Sequence, residues 1–457
     1  MTKPYPYQVE GVNRIADFNG RALLADEMGL GKSFQALMYA ELKRKARPVV
    51  VVCPASLKWN WQHECYIHIK SRAEIAEGRK APRGRRLVVP PILIINYDIL
   101  TSWLRCLDRI DPQLVIIDEP HYIKNRKAKR TKAVKKLCKG VPHVIALGGT
   151  PIKNRPAEFF NILNLIRPEV FDSRRHFHFR YCDPKKGDYG WEYKGASNVK
   201  ELNRLLREHL MIRRLKKDVL KQLPPKRRLL VPITISKRHE YEEANTNFLK
   251  WLRKLSPGKA LRASRAQQFV KAGYLLRLVA ELKLNAMFEW IDNWLENSTE
   301  KILLVAIHKK IIEAIQKRYG NQCVAIHGKV KGKKRHLAIE KFRVDKKVRI
   351  CIAQLSVAAG WNATSASTVA FLEHGYVGAD DEQAIDRIHR IGQTKHCTAY
   401  FLYAENTIEE KLVMIKRGKM KTVHAILDDG EEGEDYSAFD ELIKELHRKE
   451  RQKRKAA

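Results

Sequence analysis

The chain has 457 residues, 44% of them hydrophobic, enough for two or three globular units with their own cores. Its 88 lysines and arginines against 51 acidic residues leave a formal charge of +37. That excess argues against a small-molecule enzyme and for a polyanionic partner, nucleic acid ahead of an anionic membrane surface.

In chain order, the opening MTKPYPYQVEGVNRI lacks the apolar segment of a signal peptide. Short apolar runs then alternate with amphipathic stretches, as in a parallel sheet covered by helices. The first series is RALLAD, PVVVVCP, PILIINY, QLVIIDE and HVIALGG; the second is RLLVPITI, KILLVAIH, CVAIHG, VRICIAQ, STVAFLE and HCTAYFLYA. Between them MIRRLKKDVLKQLPPKRR, with paired prolines and dense positive charge, breaks the pattern and reads as a hinge. The expected fold is α/β, two lobes over residues 1–223 and 224–425, with a helical insertion at about 237–298 and a charged tail at 426–457. No apolar run approaches the roughly 20 residues of a bilayer span. Eight scattered cysteines without a C-x-x-C pair exclude a zinc ribbon and fit a reducing compartment. The expected setting is intracellular, cytoplasmic or nucleoid-associated.

Four segments carry chemistry. LLADEMGLGKSFQALMYA places Asp26, Glu27, Met28, Gly29, Leu30, Gly31, Lys32 and Ser33 between an apolar strand and an amphipathic helix, the order of a phosphate loop. Glycines let backbone N–H groups approach phosphates, the lysine reaches the β and γ oxygens, and the hydroxyl holds magnesium. Asp26 stands where the strict pattern has its first glycine, and a glycine-rich turn with a chance GKS is the alternative. QLVIIDEPHYIKN delivers Asp118 and Glu119 at the C-terminal end of a strand, where open parallel sheets bind ligands. Asp118 suits a magnesium shell and Glu119 an attacking water; an acidic pair capping the next helix is the alternative. HVIALGGTPIKN ends a strand in Gly149, Thr150 and Pro151, a turn suited to coupling hydrolysis to movement. In DEQAIDRIHRIGQT, Arg387 and Arg390 are three apart, which predicts a shared helix face and two guanidiniums for phosphates. A solvated basic helix is the alternative. His176, His178 and Cys182 in RRHFHFRYC are read as a packed basic and aromatic surface rather than a metal site.

Together with YPYQ, VVCPASLKWNW, RRLKKDVLKQLPPK, AAGWNATSAS and RIHRIGQT, these segments resemble, in order over residues 4–425, the motifs of Swi/Snf-like ATPases of helicase superfamily two. DEPH, RPAEFF and Glu373 in FLEHGY look most like the annealing-helicase, or HARP-like, branch. The resemblance implies two RecA-like lobes, with NTIEEKLVMIKRGK as a C-terminal brace helix. It implies ATP and Mg2+ as cofactors and double-stranded DNA as partner, branched or fork DNA included; lysines and arginines spread across both lobes predict sequence-independent binding, and a monomer is the expected state.

By motif position Gln8 reads the adenine, Lys32 and Ser33 bind phosphates and magnesium, and Asp118 with Glu119 runs hydrolysis. Gly149, Thr150 and Pro151 relay the nucleotide state, and Gly360, Gln383, Arg387 and Arg390 complete the site from the second lobe. Four departures stand out: Gly148 replaces a threonine, Trp361 and Ala363 replace leucines, and Tyr376 stands where the family has tryptophan. They leave the ATPase expectation intact and bear on DNA coupling. The resulting expectation is an ATP-driven duplex translocase; the alternatives are a strand-separating DNA or RNA helicase and a DNA-binding scaffold with a vestigial site.

Overall fold

A computed structural model describes residues 3–81, 89–149, 156–187, 190–193, 195–246, 267–330, 332–357 and 361–424. Thr150, Pro151, Gly360 and the tail at 426–457 lie outside the described residues. The chain divides into two compact units, residues 1–223 and 224–420.

In the first unit lie β1 (Arg21–Leu24), β2 (Val49–Cys53), β3 (Ala73–Ile75), β4 (Ile92–Asn96), β5 (Leu114–Asp118) and β6 (His143–Leu147). A short antiparallel pair follows, β7 (Lys185–Gly187) and β8 (Gly190–Glu192), and then β9 (Met211–Ile212). Seven of these strands form one sheet in the order β3-β4-β2-β5-β6-β1-β9, with every pairing parallel. The valine and isoleucine runs of β2 and β4 are buried at every residue, because helices cover both sides and successive side chains alternate between them. Val50, Val52, Ile95 and Ile117 face one core, and Val49, Val51, Ile94 and Ile116 the other.

The second unit contains β10 (Lys226–Ile233), β11 (Lys301–Ala306), β12 (Cys323–Ile326), β13 (Ile350–Gln354), β14 (Ala366–Phe371) and β15 (Cys397–Ala404). Their order is β10-β15-β14-β11-β13-β12, again with every pairing parallel. Pro232 is tolerated in β10 because that strand is an edge and pairs only with β15. Each of the eleven apolar runs forms a strand, and the two sheets are the two RecA-like lobes. The four short strands β3, β7, β8 and β9 carried no apolar run to announce them.

The two units divide at Leu223 and Pro224, within the segment read as a hinge, and the start of that segment belongs to the first sheet. Met211 and Ile212 pair with Leu23 and Leu24 as the last strand of the first sheet, and Arg213 and Arg214 beyond them are drawn into the protein. Carbonyls and a buried carboxylate supply the partners that let these guanidiniums leave water.

Between β10 and β11 run the helices Arg238–Thr246, Gln267–Leu282 and Leu284–Glu296. Lys283, at the junction of the last two, is fully buried; its Nζ donates to Leu402 O at 3.0 Å and to both Glu409 carboxylate oxygens at 2.7 and 2.8 Å. Glu409 begins the Ile408–His424 helix, whose Ile408 and Leu412 join Leu275 and Val279 in one core. Farther along, Lys416 pairs with buried Asp381. Among the described residues no helix is long and apolar enough to cross a membrane. All eight cysteines are buried and free.

Candidate nucleotide site

The strands β5, β6 and β1 are neighbours, so their parallel C-terminal ends bring Asp118, Gly148 and Ala25 to one edge of the sheet. After β1 the chain turns through Asp26–Leu30, and Gly31 caps the Lys32–Leu42 helix in the left-handed region at φ +72°. Glycine suits that conformation because it has no Cβ to clash. Its bareness has a second use: a Cβ there would lie 2.5 Å from Gln8 Nε2. Lys32 and Ser33 occupy the first helical turn, where unsatisfied N–H groups favour an anion.

The loop is closed from within. Lys32 Nζ donates to the carbonyls of Asp26 at 2.7 Å and Glu27 at 3.2 Å. The Leu30 carbonyl accepts from Tyr7 OH and Gln8 Nε2, both at 3.2 Å, and from Gln35 Nε2 at 3.3 Å. Gln8 Oε1 accepts from Tyr5 N at 3.0 Å, so both ends of the side chain expected to read adenine are engaged with the loop and its own helix.

Asp26 and Glu27 are likewise committed inside the protein. Asp26 is 0% exposed; its Oδ1 accepts from Arg214 N and Nε at 3.0 Å each, and its Oδ2 from Arg214 Nη2 at 2.6 Å and Gln35 Nε2 at 3.0 Å. Arg214 also donates to Gln35 Oε1 at 2.7 Å and to the Tyr7 carbonyl, with its guanidinium 5.3 Å from the Tyr7 ring centre. Glu27 Oε2 accepts from Lys216 N at 2.7 Å. Arg213 Nη1 ties the Ala25 carbonyl at 2.7 Å to that of Gly149 at 2.9 Å. The pattern RRLKK thus straps the phosphate loop, a role its charge density concealed.

Gly149 meets the loop directly. A Cβ there would lie 2.5 Å from Met28 Cγ and 3.2 Å from Lys32 Nζ. Opposite, Asp118 ends β5 with its Oδ2 accepting from Trp61 Nε1 at 2.8 Å and its carbonyl from Tyr97 OH at 2.7 Å. Burial first, then the adjacent Glu119 carboxylate, pushes the Asp118 carboxyl up to about 7; the Trp61 bond and the Lys32 charge oppose the rise. Glu119 is buried in the left-handed region at φ +55°, with His121 Nδ1 3.2 Å from its Oε2. Trp61 comes from the KWNW segment, whose alternating tryptophans gave a signal that only the fold could connect to Asp118.

In the second unit one expectation is corrected. The Gly378–Ile388 helix contains Gln383, which is buried, and Arg387 in its last turn, but it ends before Arg390, so the two arginines do not share a helix face. His389 leaves helical geometry with its Nε2 2.8 Å from Pro224 O, and Gly392 turns at φ +93°. Arg387 donates to Gln383 O at 3.2 Å and to Trp361 O at 3.5 Å. Trp361 and Ala363, the departures from the leucines, are buried in the core beneath this helix. Glu373 is also buried; its Oε2 accepts from the N–H groups of Ile307 and His308 at 2.8 and 2.9 Å, and its Oε1 pairs with His308 Nδ1, at the start of the Lys309–Tyr319 helix.

In the basic and aromatic run, His178 is buried against Phe160, Phe177 and Tyr193, and burial lowers its imidazole to about 4. Cys182 is buried beside the Phe177 carbonyl.

The SNF2-related domain family matches residues 7–283, and the helicase conserved C-terminal domain matches residues 283–392. Among curated relatives, the SWI/SNF-related matrix-associated actin-dependent regulator of chromatin subfamily A-like protein 1 of Xenopus tropicalis is 34% identical, over 92% of this chain and 44% of its own length. The DNA annealing helicase and endonuclease ZRANB3 of Homo sapiens is 32% identical, over 89% of this chain and 39% of its own. The chain therefore spans less than half the length of these two relatives. A solved structure, the Sulfolobus solfataricus SWI2/SNF2 ATPase core in complex with dsDNA, is similar at 22% identity and a TM-score of 0.44, covering 93% of this chain and 97% of that one. With one family matching more than half of its residues, and with annealing helicases among its relatives as DEPH and Glu373 led one to expect, the chain belongs to the SNF2-related domain family.

Proposed function

We propose that the chain is a DNA-stimulated ATPase that moves along double-stranded DNA, gripping the backbone without reading sequence and acting as an intracellular monomer. The observation that carries the reading is the convergence, at one sheet edge, of a glycine-capped helix start, a lysine on its loop, and two adjacent carboxylates. Family membership and the charge of +37 support it.

The residues fit a magnesium nucleotide. Asp118 is a carboxyl raised by burial and a carboxylate neighbour, a setting that a divalent cation relieves. Gly149 leaves open the space that a Cβ would fill beside Lys32. Ser33 and Asp118 would hold the metal, which supplies positive charge to the phosphate oxygens. Lys32 and the first-turn N–H groups bind and orient the phosphates. Glu119 orients the attacking water and accepts its proton, and Trp61 and Tyr97 fix Asp118 through its carboxylate and its carbonyl. Gln383, Arg387 and Arg390 are assigned to ATP turnover by motif position, as are Gly360, Thr150 and Pro151. Branched or fork DNA is included among the tracks because of the annealing-helicase relatives.

The test is ATPase rate without DNA and with single-stranded, blunt duplex and branched DNA, beside triplex displacement and forked-duplex unwinding. Duplex is expected to stimulate hydrolysis and triplex displacement to occur, with Lys32→Ala and Glu119→Gln abolishing both. Unwinding without triplex displacement would make the chain a strand-separating helicase. A rate indifferent to duplex and to Glu119→Gln would make it a scaffold. A second prediction concerns the close approach at Gly149: Gly149→Ala is expected to raise the KM for ATP several-fold while the protein stays folded. Saturation curves check this, and an unchanged KM would count against the crowding of Met28 and Lys32.

A further inference from the structure

Away from the nucleotide site, one face of the first unit gathers rings and cations that ATP hydrolysis does not use. The Arg174–Tyr181 helix presents Phe179, 37% exposed, and β8 presents Trp191, 52% exposed. Their ring centres are 5.1 Å apart at an interplanar angle of 63°. Phe179 also lies 5.9 Å from the Tyr193 ring, which is 4.5 Å from buried His178. The exposed pair is therefore anchored on a packed base and held in place. Leaving a tryptophan half open forgoes much of the stabilisation that burying its ring would give.

Cations flank the rings. The Arg175 guanidinium lies 5.8 Å from the Phe179 ring centre, and Lys186 on β7 is exposed. On the inner side Arg174 Nε donates to His178 Nε2 at 3.3 Å.

We propose that this face binds single-stranded DNA, the unpaired segment of a branched substrate, with Arg175 and Lys186, the cross-strand partner of Trp191, on backbone phosphates and Phe179 and Trp191 stacked on bases. Cations beside exposed rings that stack on successive bases are how unpaired strands are held without sequence preference. Bases within a duplex already stack on their neighbours and show only their edges in the grooves, so rings of this kind favour unpaired ones. The proposal rests on the DNA-motor reading and extends it by assigning the recognition of a branch to a part of the motor core itself.

Fluorescence anisotropy on the full chain, with a labelled oligothymidylate strand and a blunt duplex of equal length, tests it. The double variant Phe179→Ala/Trp191→Ala is expected to bind the strand at least about tenfold more weakly, in line with loss of one or two base–ring stacks. Blunt-duplex affinity and duplex-stimulated ATPase should be unchanged, and Trp191→Phe, which keeps a stacking ring, should retain strand binding. Arg175→Gln should flatten the salt dependence of strand binding by about one in slope. Unchanged strand affinity in the double variant, an equal loss on duplex, or a wild-type chain that does not bind the strand would overturn the proposal. Strand binding that needs the rings, in a chain whose ATPase ignores every DNA, would instead break the motor reading and leave this surface standing.

Discussion

Replacing Arg214 with alanine is expected to destabilise the first unit by about 3–5 kcal/mol, the range for breaking a buried ion pair from one side. Asp26 is fully buried, and three of the hydrogen bonds to its carboxylate come from Arg214. Without the guanidinium, the carboxylate keeps only the Gln35 amide and the backbone N–H of residue 214. The same side chain holds the Tyr7 carbonyl and Gln35, so its loss also frees the segment carrying Gln8 from the phosphate loop. Nucleotide affinity should fall with stability. Asp26→Ala should cost less than Arg214→Ala because the arginine retains Gln35 and Tyr7. The double variant should cost clearly less than the sum, since neither orphaned charge then remains. Chemical denaturation of the variants, with a fluorescent ATP analogue as the binding readout, gives both numbers. A loss below about 1 kcal/mol in Arg214→Ala, the scale of an exposed pair, would show that the strap is ornamental.

That strap also marks where sequence reasoning reached its limit. The strands were legible because a strand covered on both faces must be apolar along its whole length; of the eleven runs, only the one that forms the edge strand β10 is largely exposed. The phosphate loop and the Asp118–Glu119 pair were legible because their chemistry restricts residue type at close spacing. Arg213 and Arg214 were not. Nothing local distinguishes a guanidinium destined for the Ala25 and Gly149 carbonyls from one destined for water, and those partners lie 188 and 64 residues earlier. The helix expected to carry both Arg387 and Arg390 failed for a related reason. Periodicity extends a helix through RIHRIGQT, but His389 finds a tertiary partner in the Pro224 carbonyl and Gly392 turns the chain, which together outweigh local propensity. Asp26, which departs from the strict phosphate-loop pattern, belongs to the same lesson: it holds Arg214, where a glycine could not.

The second large effect runs the other way, as a gain in stability. Asp118→Asn is expected to stabilise the nucleotide-free protein at pH 8 while abolishing magnesium-dependent hydrolysis. Burial and Glu119 hold the Asp118 carboxyl at about 7, far above its ordinary value of 3.8. An acid whose value is raised on folding costs nothing below its unfolded value, because it is then protonated in both states. The cost grows as pH rises between about 4 and about 7 and is complete above that. Three units correspond to a ceiling of about 4 kcal/mol. Because relaxation around a buried charge softens such a penalty, about 2 kcal/mol is the expected gain on removing it. The asparagine carbonyl can still accept from Trp61, so the change removes charge without orphaning the indole. Thermal unfolding of wild type and variant at pH 8 and again near pH 4 is the measurement. The variant should melt several degrees higher at pH 8 and level with wild type at the lower pH. Equal or lower stability at pH 8 would show that the carboxylate pair is relieved within the free protein, and that magnesium is not what its charge awaits. The same reasoning fixes the sign for the wild type: as pH falls through about 7 the proton competes with the metal, so magnesium-nucleotide affinity should fall in step.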